Sequence, residues 1–262
     1  MIIKFQKFQG AGNDFIIIDN RNQVEIVEYF CDRKFGIGAD GLMLLETCPG
    51  YDFKMRYFNS DGREASLCGN GSRCIVAYAH RLGLFLQTTR FLAADGEHQG
   101  EITLQGVRVK MNDVSRITVT PDYFFLDTGS PHYVKVVADA FQTDVVTAGR
   151  MIRYAPSFQP GGTNVNFITP TPACIRIATY ERGVEDETLA CGTGCVAAAL
   201  SAALLNHDHS GTYTLQTKGG ILKVSFKQLA DNHFTDIWLE GPAEFVFAGE
   251  IETPQNRDKK AM

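Results

Sequence analysis

Short apolar runs dominate the chain, many of them alternating with polar residues, and this pattern predicts strands. The predicted strands span residues 2–8, 15–19, 53–58 and 107–111 in the first half, and 123–126, 133–137, 165–168, 175–180, 212–217, 222–226, 236–239 and 243–247 in the second. A short helix with apolar residues at helical spacing is predicted to begin after Asn22. Many strands with few helices indicate an α+β fold.

Two longer helices are predicted, and each begins directly after a cysteine. The first follows Cys68 and ends near Leu82, where Gly83 favours termination. The second follows Cys191, extends to about Leu205 and is apolar all round. Such a helix is typical of a buried position among strands, and its many alanines would let those strands approach closely.

The two halves of the chain repeat the same order of features. In the first half, Gly-Asn-Asp-Phe (12–15) is followed by Asn59 in a polar loop and then by Leu-Cys-Gly-Asn-Gly (67–71). In the second half, Thr-Asn-Val-Asn-Phe (163–167) is followed by Glu181 in a polar loop and then by Ala-Cys-Gly-Thr-Gly (190–194). The repeat is too long for a solenoid, and it predicts two similar domains that face each other, residues 1–116 and 117–247.

Composition narrows the class of protein. The 262 residues fit two domains of ordinary size, and 44% hydrophobic residues suffice for a sizeable core. A net charge of −5 gives no basic field for nucleic acid or an anionic membrane, so neither partner is expected. The N-terminus lacks the apolar core of a signal peptide, and the longest apolar stretch, 196–205, is too short to span a bilayer. We therefore expect a cytoplasmic protein, and its seven cysteines are expected to be free thiols.

Cys68 and Cys191 each open a Cys-Gly-x-Gly helix start, which is the strongest chemical signal in the chain. The unpaired N–H groups and the positive dipole end of a helix N-terminus favour an anion. Each start is therefore expected to lower a thiol pKa and to bind a carboxylate. One such motif indicates only a buried cysteine at a helix start, but two copies in matching surroundings favour chemistry.

Two opposed thiols beside a carboxylate suit inversion of the carbon next to it. One thiolate removes the α-proton from one face, and the other thiol delivers a proton to the opposite face. A single base could not reach both faces without moving. The backbone amides at the helix starts would stabilise the charge that develops on the carboxylate.

Polar residues near these motifs are candidates for substrate recognition. Four asparagines lie beside glycine-rich or loop segments, where asparagine is also a common turn former: Asn13, Asn59, Asn70 and Asn164. Glu181 and Arg182 directly follow a predicted strand and together suit the ammonium and carboxylate groups of an amino acid, although a solvated charge pair is an alternative. His132 is either a turn residue or a group that tunes a nearby thiol.

The blocks FNSDGREASLCGNGSRC (58–74) and TYERGVEDETLACGTG (179–194) closely resemble the diaminopimelate epimerase family, which works without a cofactor in lysine and peptidoglycan precursor synthesis. The resemblance covers nearly the whole chain, from 10–19 to 240–250. It implies an α+β fold of two pseudo-symmetric domains, each a mostly antiparallel or mixed sheet around a central helix, with the site in the cleft between them. It also implies that residues 248–262 return to the first domain, that diaminopimelate is the small-molecule substrate, and that the enzyme is a homodimer.

The resemblance also implies roles for individual residues. Cys68 and Cys191 match the acid and base of the family, and His132 and Glu181 match positions that support the proton transfers. The substrate-binding positions are matched by Asn13, Asn59, Gly69, Asn70, Asn164, Glu181, Arg182, Gly192 and Thr193.

Two departures from the family pattern concern how the substrate is positioned. Gly41 stands where the family usually has glutamine, and Ser130 stands where it usually has asparagine. No substrate contact is carried over to either position.

Other functions remain as alternatives. A two-cysteine racemase of proline or hydroxyproline is disfavoured by the Glu-Arg pair, since proline has no second amino-acid head to bind. A metal or redox module that adds Cys74 and Cys195 to the other two thiols is disfavoured because the spacings differ from Cys-x₂-Cys. A related isomerase without cysteine chemistry would not need both thiols. No lysine context or phosphate cradle indicates pyridoxal phosphate, and residues 10–12 match a dinucleotide motif only in part, so neither a cofactor nor a metal is expected.

Overall fold

The computed structural model describes residues 2–22, 28–65, 68–230 and 232–252. Within them lie three α-helices: α1 (Gly69–Arg81), α2 (Val145–Arg153) and α3 (Gly192–Asn206). The first nine strands are β1 (Ile2–Gly10), β2 (Asn13–Asp19), β3 (Gly41–Glu46), β4 (Phe53–Asn59), β5 (Glu64–Ala65), β6 (Thr88–Ala93), β7 (Gly96–Thr103), β8 (Gly106–Lys110) and β9 (Ile117–Val119). The next nine are β10 (Phe124–Asp127), β11 (Pro131–Val136), β12 (Asn164–Pro170), β13 (Ile175–Glu181), β14 (Asp186–Thr188), β15 (Ser210–Thr217), β16 (Gly220–Ala230), β17 (His233–Gly241) and β18 (Glu244–Glu252).

Strand pairing repeats along the chain. In the first half, β1 and β2 are antiparallel, β2 and β3 parallel, β3 and β4 antiparallel, β4 and β6 parallel, and β6, β7 and β8 successively antiparallel. Strands β10 to β17 repeat this order of parallel and antiparallel pairs. The short strands β5 and β14 add to β4 and β13 at matching places, just before α1 and α3. The repeat seen in the sequence is therefore a repeat of topology, and the predicted α+β fold of two pseudo-symmetric units is confirmed.

The two units are joined through their last strands, since β8 and β17 pair antiparallel. At the outer edges β18 pairs antiparallel with β1, and β9 pairs antiparallel with β10. A strand from the C-terminal end of the described chain thus adds to the first unit, in the place that β9 takes in the second.

Each unit holds one long helix against its strands. Helix α1 packs on β1, β2, β3, β7 and β8, and α3 packs on β10 to β13 and β15 to β17. Ile75 and Val76 of α1 are fully buried in the same apolar core as Val196 and Leu200 of α3. Burial of α3 around its whole circumference confirms the interpretation of its apolar sequence, and both helices end within a residue or two of the predicted positions.

Several elements were not predicted from the sequence: helix α2 and strands β3, β5, β6, β7, β9 and β14. Helix α2 begins with three β-branched residues and contains a central glycine, all of which disfavour a helix. The Asp144 side chain nevertheless caps it by accepting a hydrogen bond from the amide of Thr147. Strand β3 is an unbroken apolar run rich in leucine, which periodicity cannot assign to either structure. The short helix predicted after Asn22 falls largely on residues 23–27, outside the described ranges, and is followed by a 3₁₀ turn at Glu28–Cys31.

Candidate active site

Cys68 and Cys191 occupy equivalent positions, each as the last extended residue before a long helix. Cys68 has φ −102° and ψ 115°, and Cys191 has φ −114° and ψ 113°. The Cys68 sulfur accepts a long hydrogen bond of 3.5 Å from the amide of Gly71. Both residues are free thiols. Each sulfur therefore stands at the N-terminal end of a helix, and among the two it is Cys68 whose sulfur accepts a capping hydrogen bond from the first turn.

The two helix starts meet head to head. A Cβ atom added at Gly69 would lie 3.6 Å from the Cα atom of Gly192, and one added at Gly192 would lie 3.4 Å from the Cα atom of Gly69. Either Cβ would also press on Leu239 Cδ2, at 3.0 and 2.9 Å respectively. The Gly–Gly contact itself is an ordinary van der Waals contact, and glycine at both positions leaves room for Leu239 beside it; the neighbouring cysteines of the two units lie at this junction.

Asn70 links the two units beneath this contact. Its Nδ2 donates to Asn13 Oδ1 at 2.5 Å and to the carbonyl oxygen of Ala190, in the second unit, at 3.0 Å. Its Oδ1 accepts from Arg73 Nη2 at 3.0 Å. Asn13 in turn donates to Asp40 Oδ2 at 3.1 Å. Asn70 is therefore fixed by partners on both units, and it orients Asn13 at the edge of the site.

Arg73 is a fully buried residue that the sequence does not single out. Besides Asn70, its guanidinium donates to the carbonyl oxygens of Gly69 and Pro242, each at 3.3 Å. Burial lowers the pKa of Arg73. The positive charge of Arg73 lowers the pKa of the Cys68 thiol, whereas burial raises it. Arg73 lies one helical turn after Gly69 and holds the backbone there. Such an arginine has no distinctive pattern in the sequence.

His132 lies behind Cys191 and is fully buried. Its Nε2 is 3.0 Å from Thr193 Oγ1 and 3.1 Å from Ser130 Oγ. Thr193 Oγ1 is in turn 3.4 Å from the sulfur of Cys191. Burial lowers the pKa of His132 to about 3, so the imidazole is neutral at physiological pH. The histidine therefore reaches Cys191 through the hydroxyl of Thr193 rather than directly.

Glu181 and Arg182 stand at the end of β13, beside the same site. Thr188 Oγ1 donates to Glu181 Oε2 at 2.9 Å, and burial raises the pKa of Glu181. The Arg182 amide donates to Asn164 Oδ1 at 2.8 Å, and its guanidinium donates to the carbonyl oxygen of Gly161 at 3.3 Å. Asn164 Nδ2 donates to Ser130 Oγ and to the carbonyl oxygen of Pro131, each at 3.1 Å. All the polar atoms of the Asn164 side chain are thus engaged, and Asn164 fixes the backbone that carries Arg182.

The thiol pKa values differ from the sequence-based expectation. Burial raises the pKa of Cys68 to about 11, and burial together with the charge of Glu181 raises that of Cys191 well above its usual range. The helix-start amides of Asn70, Gly71 and Gly194 do act in the predicted direction, but they are outweighed. The expectation of lowered pKa values was wrong because it counted the helix dipole and left out desolvation. Both cysteines are therefore protonated thiols in the free protein at neutral pH.

The two departures from the family pattern have structural explanations. A Cβ atom at Gly41 would lie 2.5 Å from Tyr57 Cε2 and 3.0 Å from the Tyr57 hydroxyl, so the tyrosine fills the space of a longer side chain. Burial, followed by the charges of Cys68 and Glu181, raises the pKa of Tyr57. Ser130, the second departure, bridges His132 and Asn164 through its hydroxyl.

The structure thus brings most of the predicted site residues together around the two helix starts. They are Cys68, Gly69, Asn70, Asn13, His132, Asn164, Glu181, Arg182, Cys191, Gly192 and Thr193. Asn59 is exposed at the end of β4, opposite Gly41 in the strand register. Residues that the sequence analysis missed are Tyr57, Arg73, Asn166 and Thr188. Only Asn166 carried a usable signal, since it alternates with Asn164 and so shares its face of the strand.

Metal-binding clusters and membrane-spanning helices are both absent from the described ranges. No group of three or more His, Cys, Asp or Glu side chains in the described part of the chain is arranged to hold a metal ion. Cys74 on α1 and Cys195 on α3, which a metal module would need, are fully buried in the core. No helix among the described residues is long and apolar enough to cross a membrane.

Comparisons with known proteins agree with this geometry. The family model for diaminopimelate epimerase matches residues 5–117 and 124–246. A diaminopimelate epimerase of Flavobacterium psychrophilum is 46% identical over 257 residues, which cover 95% of this chain and 100% of that protein. A diaminopimelate epimerase of Chlorobaculum tepidum is 44% identical, over 92% of this chain and 98% of that protein.

Solved structures share the architecture at much lower sequence identity. A phenazine biosynthesis protein of the PhzF family from Bacillus anthracis has a TM-score of 0.79 at 14% identity, over 97% of this chain and 100% of that one. A hydroxyproline epimerase from Agrobacterium vitis, with bound trans-4-hydroxy-L-proline, has a TM-score of 0.72 at 13% identity, over 95% and 92% of the two chains. These likenesses concern the two-domain fold alone.

Proposed function

The chain belongs to the diaminopimelate epimerase family, and we propose that it interconverts L,L- and meso-2,6-diaminopimelate by proton transfer between two thiols. The observation that carries this proposal is the head-to-head contact of two Cys-Gly-x-Gly helix starts through Gly69 and Gly192. A substrate carbon held at that contact has one cysteine on each side. The reaction serves lysine and peptidoglycan precursor synthesis.

We propose that Cys191 acts as base and Cys68 as acid when L,L-diaminopimelate is converted to the meso form. The Cys191 thiolate takes the α-proton, and the electron pair is delocalised into the adjacent carboxylate. The Cys68 thiol then delivers its proton to the opposite face. At the end of the reaction Cys191 is a thiol and Cys68 is a thiolate. In the reverse direction the two residues exchange roles, because the transition state is the same.

The raised pKa values of the thiols require an activating event when substrate binds. The substrate brings an α-ammonium group, whose positive charge next to a buried thiol lowers the pKa of that thiol. Glu181, which raises the pKa of both thiols, is partly neutralised if it accepts a hydrogen bond from this ammonium group. Substrate binding and thiolate formation are then coupled, which protects the free enzyme from unwanted reactions of a thiolate.

We propose that the remaining residues hold the two ends of the substrate. The helix-start residues Gly69, Asn70, Gly192 and Thr193 offer backbone N–H groups to the carboxylate at the reacting carbon. Arg182, which has no carboxylate partner among the described residues, binds the other carboxylate together with Asn13 and Asn59. Asn164 contributes by holding the Arg182 backbone.

The proposal is tested by incubating the purified protein, in reducing buffer with a chelator and without pyridoxal phosphate, with L,L-diaminopimelate, meso-diaminopimelate, L-proline or trans-4-hydroxy-L-proline. We expect the two diaminopimelate isomers to interconvert and the imino acids to stay unchanged. Racemisation of proline or hydroxyproline with diaminopimelate untouched would assign the site to the other two-cysteine enzymes. Activity that appears only with added pyridoxal phosphate or metal would overturn the thiol mechanism.

We further propose a cytoplasmic homodimer built from two halves, residues 1–116 and 117–247, with residues 248–262 belonging to the first half. The division is supported by the repeated strand pairing and by the two segments matched by the family model. Dimerisation is supported by β18, an edge strand in the described sheet whose Phe245, Val246 and Phe247 are 40%, 52% and 44% exposed. Light scattering on the purified protein is expected to give twice the chain mass of 28.9 kDa.

A further inference from the structure

Asn166 is a fully buried polar residue at the middle of the second unit. It lies on β12, between β11, which carries His132, and β13, which carries Thr179. Its Oδ1 accepts from Thr179 Oγ1 at 3.0 Å. Its Nδ2 lies 3.0 Å from the Tyr133 carbonyl oxygen and 3.0 Å from His132 Nδ1. Both N–H donors and the carbonyl oxygen of the side chain therefore have partners inside the protein.

The orientation of this amide is determined by its neighbours. A carbonyl oxygen can only accept, so the atom of Asn166 that faces Tyr133 must be the NH₂ group. Its second hydrogen then points to His132 Nδ1, which has to be the unprotonated nitrogen of the imidazole. A neutral imidazole carries one proton, and that proton consequently sits on Nε2.

The proton on Nε2 fixes the next hydrogen bond. Thr193 Oγ1, 3.0 Å away, accepts from His132 Nε2, and its own hydroxyl proton is left to point to the Cys191 sulfur at 3.4 Å. Ser130 Oγ is also within reach of Nε2 and already accepts from Asn164. In this assignment Asn166 donates to His132, His132 donates to Thr193, and Thr193 donates to Cys191.

Gly194, in the first turn of α3, leaves the space that this series of hydrogen bonds needs. A Cβ atom at that position would lie 2.5 Å from Asn166 Oδ1 and 3.4 Å from the Cys191 sulfur. The second glycine of the Cys-Gly-x-Gly motif therefore admits Asn166 beside the helix start, in addition to freeing backbone amides.

Among the described residues, no equivalent series of hydrogen bonds leads to Cys68. The residue that matches Thr193 in the first unit is Asn70, and its side chain turns away to Asn13, Ala190 and Arg73. Among the described residues, the groups that favour the Cys68 thiolate by hydrogen bonding are the backbone amides of Gly71 and Asn70. The two thiols thus differ in their surroundings, although the motifs that present them are alike.

We propose that Asn166 is a positioning residue that locks the proton of His132 onto Nε2 and thereby aims the Thr193 hydroxyl at Cys191. These hydrogen bonds stabilise the thiolate of Cys191 and leave Cys68 unaffected. Their role in catalysis rests on the proposed function, whereas the position of the proton on His132 does not depend on it. The other charged or titratable groups that act on this region are Glu181 and Cys195 at Cys191, and Arg182 at His132.

The first test is the ¹⁵N spectrum of the histidine rings in the unaltered protein at neutral pH, with His132→Gln used to assign the signal. Protonated and unprotonated ring nitrogens have well separated shifts. We expect His132 to be neutral, with hydrogen on Nε2 alone. Hydrogen on Nδ1 would overturn the proposal whatever the enzyme activity. Asn166→Asp, which places only oxygen atoms beside Nδ1, is expected to move the proton to Nδ1 where the variant folds.

The second test follows alkylation of both thiols by iodoacetamide at one pH, with peptide mapping to separate Cys191 from Cys68. Thr193→Val removes the hydroxyl and keeps the shape, so the rate at Cys191 should fall about tenfold, as for loss of a hydrogen bond to a charged group. The rate at Cys68 is the internal control and should not change, and Thr193→Ser should restore Cys191. Equal rate losses at both cysteines, or no loss at Cys191, would overturn the proposal. An unaltered protein that gives the expected rates but does not epimerise diaminopimelate would instead refute the proposed function alone.

Discussion

Gly192→Ala perturbs the contact between the two helix starts by a single methyl group. The added Cβ would lie 2.9 Å from Leu239 Cδ2, and 3.4 Å from both Gly69 Cα and Asn70 Oδ1. Leu239 is fully buried on β17, so it cannot swing into solvent. Because carbon atoms prefer separations of about 3.5–4.0 Å, the helix start and Leu239 must part by roughly 0.6 Å or more.

The expected cost to stability is modest and the expected cost to turnover is large. Overpacking of this kind costs about 1–3 kcal/mol, and the better helix propensity of alanine returns up to about 1 kcal/mol. The net free energy of unfolding should therefore fall by about 0–3 kcal/mol. A shift approaching 1 Å between reacting groups lowers turnover by about 100-fold, so kcat should fall by about 10- to 100-fold.

The assay is epimerisation kinetics beside urea unfolding, with Gly211→Ala as the matched control. A Cβ atom at Gly211 would meet no atom within 4 Å, so this variant should leave both quantities nearly unchanged. A folded Gly192→Ala protein whose kcat stays within about twofold of the unaltered enzyme would refute the argument that the close approach of the helix starts sets the catalytic geometry.

Three further predictions concern single side chains. The pKa of about 11 predicts that iodoacetamide alkylation of Cys68 in the free enzyme is slow at pH 7 and rises with pH towards about 11, and a plateau below pH 8 would contradict it. Arg182→Lys keeps the charge but loses the planar fork, so KM for diaminopimelate should rise with little change in the melting temperature, whereas lower stability with unchanged kinetics would make Arg182 structural. Tyr57→Phe should lower kcat/KM roughly tenfold if the tyrosine hydroxyl does the work of the glutamine that the family usually has at position 41, and equal kinetics would show that the ring only fills space.

The sequence predicted the two helix starts well. Each Cys-Gly-x-Gly motif directly precedes a segment with apolar residues at helical spacing, and both helices begin as predicted. The repeat of motifs predicts two related units, because similar order along the chain gives similar topology. These inferences rest on local pattern, which a single sequence contains.

Thiol pKa values and long-range side-chain contacts depend on the assembled fold and could not be predicted from local sequence pattern. The thiol pKa values have the opposite direction from the expectation because desolvation outweighs the helix-start amides, and burial is a property of the assembled fold. Arg73 and Asn166 act through partners on other strands or in the other unit, and a single sequence does not reveal such pairings. Strand β3 was missed because its apolar run of four residues, Leu42–Leu45, fits a strand or a buried helix equally well.

The central claim is that two thiols act on opposite faces of one carbon. It is tested most directly by converting L,L-diaminopimelate in D₂O with the unaltered protein and with Cys68→Ala and Cys191→Ala, and by measuring deuterium in product and in remaining substrate at low conversion. The proton removed by one thiol stays on that thiol while the other delivers a solvent deuteron, so the meso product should carry deuterium at the inverted carbon and the remaining substrate almost none. Each alanine variant should lose turnover by about 100-fold or more. Retention of the original hydrogen in the product, or near-normal epimerisation by either variant, would contradict the two-thiol account.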